Sequence, residues 1–181
     1  LKDLSVDVLG LCEVENKNVL NDLNNAYVDR EYKIIHYESP DERGIDNALL
    51  YDPKKFEVLS SKPIPNFLNG NDRTRDILYI KGIFKLNLIH IFVNHWPSNY
   101  GGKEKATPKR NFTAKLLLNE INKIKKTENE PNVVLLGDFN ENPNDANVVI
   151  LESAGLTNLM IDMIDKKDVS TYIYRGNNYL Y

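Results

Sequence analysis

Between Tyr32 and Trp96 the chain carries five apolar runs, "YKIIHYE", "IDNALLYD", "FEVLS", "RDILYIKGIF" and "LNLIHIFVNHW", with only short connections between them. They are rich in β-branched and aromatic residues, and turn formers separate them: Ser39-Pro40-Asp41, Asp52-Pro53 and Asn69-Gly70-Asn71-Asp72. Such runs read as strands. No helix-length segment interrupts them, so the strands must pair in antiparallel or mixed sheets rather than as a regular βαβ array. In "LNLIHIFVNHW" both parities are apolar, with Leu86, Leu88 and Phe92 on one side and Ile89, Ile91 and Val93 on the other. A strand buried on both faces belongs in the middle of a layered fold.

The flanking segments supply two helices and further strands. "VDVLGLCEVEN" reads as a buried strand that ends in acid, and "NKNVLNDLNNAYV" places Val19, Leu20, Leu23, Ala26 and Tyr27 on one helical face. "ATPKRNFTAKLLLNEINKIKK" reads as a helix capped by Thr107, with Pro108 at its first position and Ala114, Leu117, Leu118, Ile121 and Ile124 as the buried stripe. "NVVLLGDFN" is strand again, a short helix over 145–154 should stop at Gly155, and "STYIYR" is a last strand. The expected architecture is an α/β sandwich of mixed, mainly antiparallel sheets flanked by helices. Its 181 residues suit a single domain, and 41% hydrophobic content suits a globular core. No apolar run approaches the roughly 20 residues that span a bilayer, and no signal peptide is legible, so the compartment is undetermined. The net charge of −3 argues against a protein that clings to nucleic acid by overall charge, and the lone Cys12 excludes an internal disulfide.

Three of the buried runs end in chemistry. "LGLCE" ends in Glu13, "IFVNHW" holds His95, and "LLGDFN" delivers Asp138 and Asn140, which face the same way if the backbone stays extended. Each has an ordinary reading: Glu13 accepting helix amides, His95 in a core, residues 137–144 as a turn. Their co-occurrence at strand ends favours chemistry. A carboxylate at the end of a buried strand needs a partner, and an oxygen-rich site with few nitrogen ligands suits Mg²⁺, Mn²⁺ or Ca²⁺ rather than zinc, with Mg²⁺ or Mn²⁺ the expected cofactor. Phosphate ester cleavage uses such a set: a divalent cation, a carboxylate that takes a proton from water, and donors on the phosphoryl oxygens.

"GLCEVEN", "RGIDNALLYDP", "TRDILYIKG", "FVNHWPSNYGG", "LLGDFNENP" and "STYIYRGNNYLY", in that order, resemble the endonuclease/exonuclease/phosphatase superfamily with its deoxyribonuclease-I-like fold, in a bacterial branch of undefined substrate. The resemblance implies a four-layered α/β sandwich and a divalent-metal-dependent hydrolase of phosphate esters, foremost a phosphodiesterase or nuclease. It makes Glu13 the metal ligand, Asp138 the residue that activates water, Asn140 an amide at the phosphate or at that aspartate's partners, and His95 a donor to the scissile phosphate. Arg75 and Asn47 are similar to cleft residues that bind substrate. Family members usually begin with a strand bearing a metal-site asparagine and end with an aspartate and a Ser-Asp-His segment. Neither is found in these 181 residues, so the expectation is one domain, 1–181, truncated at both ends.

The loop "PSNYGGKEKATPKR" places Lys103, Lys105, Lys109 and Arg110 around a glycine pair, with Lys103 and Arg110 the candidate contacts for a phosphorylated substrate, nucleic acid among the possibilities. Its bland alternative is a solvated loop entering a lysine-rich helix. Competing functions are a phosphate-binding or scaffolding domain without turnover, and a phosphomonoesterase for lipid or inositol phosphates. A monomer is expected.

Overall fold

The computed structural model describes residues 6–26, 31–68, 73–164, 166 and 169–181. Its contacts divide the chain into two compact units, Leu1–His95 with Glu130–Gly137, and Trp96–Asn129 with Asp138–Tyr181. Asn69-Gly70-Asn71-Asp72 and Tyr27 lie outside the described residues.

The first unit is built from two sheets. Strands β1 (Val8–Val14), β2 (Lys33–His36) and β3 (Asp46–Tyr51) form one, in the order β1-β3-β2. Both pairings are antiparallel, and the central strand is buried from Asp46 to Leu50. Strands β4 (Phe56–Ile64), β5 (Ile77–Phe84), β6 (Asn87–His95) and β7 (Asn132–Asp138) form the other, in that order. The β4-β5 and β5-β6 pairings are antiparallel. Asn132 donates to the Leu88 carbonyl near the start of β6, and Asn94 donates to the Leu136 carbonyl near its end. Strands β6 and β7 therefore run the same way, which makes the sheet mixed.

Strand alternation sends Ile35 and Leu49 of the small sheet against Phe56, Leu78, Ile80, Ile91 and Val93 of the large one, and these form the core between sheets. The opposite parity of β3, Ala48 and Leu50, packs with Val14, Tyr32 and Leu20 of helix α1 (Lys17–Asn25). The Asn16 side chain caps α1 by accepting from the amides of Asn18 and Val19. Only Leu20 of the expected apolar face is fully buried, while Val19 and Ala26 are exposed.

The β6 reading needs one correction. Leu86, assigned to a buried parity, is 97% exposed, because it and Lys85 are the two central residues of the β5-β6 hairpin, both with positive φ (68° and 48°). Turn geometry overrode the alternation there. The strand starts at Asn87 and is central, as its two-sided burial requires.

The second unit centres on α2 (Lys103–Lys125), which buries Ala106, Arg110, Thr113, Ala114, Leu117 and Ile121 along one stripe. It begins earlier than its sequence signals: Gly102 is the cap, Thr107 bonds back to the Lys103 carbonyl, and Pro108 lies inside the helix. A proline in the second turn removes one bond to the carbonyl four residues back without ending the helix. Helix α3 (Ala146–Val149) continues as a 3-10 turn over Ile150–Ala154 and stops at Gly155, whose φ of 73° supplies the expected left-handed terminus. The "STYIYR" strand, β8 (Tyr172–Tyr174), pairs with a strand not anticipated from sequence, β9 (Asn177–Tyr179). Among the described residues no helix is long and apolar enough to cross a membrane.

Candidate active site

Glu13, His95 and Asp138 all stand at the C-terminal ends of strands: Glu13 is the penultimate residue of β1, and His95 and Asp138 are the last of β6 and β7. In the first unit β1 and β6 end together. Cys12, one residue before Glu13, donates from Sγ to the carbonyl of Asn94, one residue before His95 (3.2 Å).

Glu13 occupies a β-bulge. Leu11 pairs with Ala48 and Val14 with Asp46, so three steps on β1 face two on β3. The extra residue is accommodated by a left-handed backbone at Glu13 (φ 59°). A bulge bends its strand and re-aims a side chain, and non-glycine residues with positive φ cost of order 1–3 kcal/mol and gather at functional sites. Here Val14 returns to the core while the Glu13 carboxylate is turned outward, its side chain 65% exposed. Among the described residues that carboxylate makes no hydrogen bond; Arg43 Nη1 lies 3.9 Å away as an ion-pair partner.

Arg75 is buried beside this end of the unit, its Nη1 donating to Asp41 Oδ2 at 3.2 Å. Burial lowers its pKa from the ordinary range, and the contact with Asp41 opposes that. Asp41 also serves the turn that carries it: its Oδ1 accepts from the Arg43 amide (3.0 Å) and from Arg43 Nε (3.4 Å), and its carbonyl accepts from Gly44, whose φ of 64° closes the turn. His95 is buried, and its pKa is lowered to about 3, first by loss of solvation, then by the positive charges of Arg75 and Arg43, with Asp41 acting in the opposite sense. The imidazole is thus neutral at physiological pH. Asn47 is buried, donating to the Asp76 carbonyl (2.8 Å), and its Oδ1 has no partner among the described residues.

In the second unit, Trp96 and residues 138–140 lock together. The Trp96 amide donates to the Asp138 carbonyl (2.8 Å), and Asn140 Nδ2 donates to the Trp96 carbonyl (2.9 Å). The Asn140 amide donates to Asp138 Oδ1 (2.8 Å). This corrects the alternation argument: β7 stops at Asp138 and Asn140 has φ 50°, so the two side chains do not share a strand face. The aspartate instead closes an Asx turn, with the asparagine amide group committed to backbone. Gly137 explains the glycine in "LLGDFN". At its φ of 123° an added Cβ would lie 2.0 Å from the Asn94 carbonyl oxygen, within the first unit.

Arg110, expected as a loop cation that reaches substrate, is instead fully buried on α2. Its Nε donates to Glu141 Oε1 at 2.7 Å and its Nη1 to the Pro97 carbonyl at 3.0 Å. Glu141 also accepts from Asn147 (2.8 Å). The early start of α2 turned a supposed loop residue onto the buried stripe. Lys103 remains exposed at the first turn of α2, 3.7 Å from Asp145.

Reading the sequence missed Arg43 and Asp41. Their signal was the turn "SPDERG", where a charged pair looks like ordinary solvated loop. The described residues also contain a possible ligand group that excludes Glu13: His36, Glu38 and Asp46, with donor atoms within 4.8 Å of one another. His36 Nε2 lies 2.9 Å from Asp46 Oδ2, and the Ser39 amide donates to Asp46 Oδ1 at 2.7 Å. Both Asp46 oxygens are thus occupied, one by His36 of β2 and one by the Ser39 amide in the segment that follows it.

The model of one family, the Endonuclease/Exonuclease/phosphatase family, matches residues 1–181. The chain belongs to that family. No curated protein matches it. Among solved structures it is similar to ANGEL2, described as a 2′,3′-cyclic phosphatase and solved with adenosine-2′,3′-vanadate (TM-score 0.70, 19% identity, 84% of this chain and 45% of that one). It is also similar to D. rerio TDP2 with a single-strand DNA product (TM-score 0.61, 20% identity, 83% and 54%). A third is the human Nocturnin catalytic domain with bound sulfate (TM-score 0.60, 17% identity, 84% and 58%). These likenesses agree with the mixed α/β, deoxyribonuclease-I-like architecture expected from sequence. The chain spans about half the length of these structures.

Proposed function

We propose that the protein is a metal-dependent phosphoesterase, foremost a phosphodiesterase acting on nucleic acid or nucleotides. The observation that supports it most is the grouping, in one unit, of an outward carboxylate on a strained bulge, a buried neutral histidine and two arginines. Family membership and the nucleotide and DNA ligands named for ANGEL2 and TDP2 support the same reading. Glu13 fits a hard divalent cation: it presents oxygen only, solvent reaches it, and no hydrogen bond from the described residues competes for it. Mg²⁺ or Mn²⁺ held there would neutralise phosphoryl charge and polarise the ester.

The remaining roles fall to the chain's own groups. His95, neutral, donates a hydrogen bond to a phosphoryl oxygen without needing a proton from solution. Asp138, at the turn where β7 ends, takes the proton from attacking water. Asn140 holds that turn through its bonds to Trp96 and Asp138 and keeps the aspartate oriented. Arg75 supplies fixed positive charge, Asn47 is the further polar group of the first unit, and Lys103 is the exposed cation the second unit offers to substrate. The test is hydrolysis of bis-p-nitrophenyl phosphate and of single-stranded DNA with Mg²⁺ or Mn²⁺ against chelator. Asp138→Ala and His95→Ala should each lower turnover by roughly 10²-fold or more. Unchanged turnover in Asp138→Ala would remove the mechanism.

A further inference from the structure

We infer that Arg43 is a substrate ligand, an exposed guanidinium set by Asp41 to grip the non-bridging oxygens of a phosphate next to Glu13. Position comes first. The Asp41–Gly44 turn fixes the Arg43 backbone twice over, through its own amide on Asp41 Oδ1 and the Gly44 amide on the Asp41 carbonyl. The same carboxylate then takes Arg43 Nε at 3.4 Å and Arg75 Nη1 at 3.2 Å, so one anion spaces two guanidinium groups. Arg43 Nη1 points toward Glu13 Oε1, 3.9 Å away. Both arginines act on His95 electrostatically, so the imidazole lies within reach of their charge.

Availability comes second, and it separates the two arginines. Arg75 is buried, its side chain 6% exposed, and is suited to setting the field. Arg43 is 52% exposed, and among the described residues its only side-chain hydrogen bond is the one from Nε to Asp41. The outer edge of its fork, Nη1 and Nη2, makes no hydrogen bond among the described residues, and a planar fork of N–H donors matches phosphate geometry. Charge comes third. Against Glu13 alone, Arg43 is an ion pair longer than a hydrogen bond; a cation on Glu13 would take that carboxylate and leave Asp41, Arg43 and Arg75 with a net positive charge for an incoming phosphate.

The role in turnover rests on the phosphoesterase reading; anion binding does not. The deciding measurement is calorimetric titration of the full chain, in excess Mg²⁺, with inorganic phosphate. Wild type should bind, Arg43→Ala and Arg43→Gln should each weaken binding about tenfold, and Arg43→Lys should recover only part of it, because it restores charge without the fork. Where bis-p-nitrophenyl phosphate is hydrolysed, Arg43→Ala should raise KM about tenfold with kcat within about threefold. Equal phosphate affinity in wild type, Arg43→Ala and Arg43→Gln overturns the inference whatever the turnover assay gives. Absent hydrolysis with intact Arg43-dependent phosphate binding would instead sink only the enzymatic reading.

Discussion

His95 is the residue whose environment makes the sharpest solution prediction. Its ordinary pKa is 6.5 and in the folded chain it is about 3, because burial and two arginines penalise the imidazolium. As pH falls through 6.5 the unfolded chain takes up a proton that the folded chain refuses, so stability drops toward acid by up to about 1.4 kcal/mol per pH unit. The loss runs from 6.5 down to about 3, and carboxylates join it below about 4.5. Urea denaturation between pH 7 and 5 should therefore give a flatter stability profile for His95→Gln than for wild type. Parallel profiles would mean that the imidazole is solvated. At this scale the sequence was informative about type and poor about setting. Glu13, His95 and Asp138 were recognisable as strand-end groups because an apolar run that stops at an acid or a histidine marks where a buried strand ends. Asn140 and Arg110 were misplaced because an Asx turn and a helix start each depend on backbone angles that alternation does not encode.

Among the elements, α2 illustrates how a correct helix can carry a wrong surface. Its apolar stripe was legible from Ala114 onward, yet the same stripe extends back through Arg110 and Ala106. A buried guanidinium persists there because Glu141 and the Pro97 carbonyl satisfy it. Removing one member of such a pair leaves the other charge buried and unmatched, which costs about 3–5 kcal/mol. Arg110→Ala should lose that much stability by chemical denaturation, and Arg110→Met combined with Glu141→Leu should regain most of it. An Arg110→Ala chain with unchanged stability and a raised KM would return this arginine to the substrate.

For the molecule as a whole, antiparallel pairing was readable because helices are absent between Tyr32 and Trp96, whereas chain connectivity between the units was not. The large sheet of the first unit recruits β7 from beyond α2, so 1–129 lacks one of its strands and leaves β6 as an apolar edge. A fragment of residues 1–129 should elute as aggregate in size-exclusion chromatography, while one that stays monomeric and keeps a cooperative melt would show that β7 is dispensable. Distant residues that complete a sheet leave no local pattern, which is why nothing in "NVVLLGDFN" announced its partner.

The surplus residue at the Glu13 bulge acts as a spacer between two demands on β1. Excise Glu13 and Leu11, Cys12 and Val14 would meet Ala48, Asn47 and Asp46 as a regular ladder, with Val14 still facing the interior beside Leu11. The hydrophobic interior alone would thus accept a strand one codon shorter in "LCEV", so the extra residue serves the outward carboxylate and not the packing.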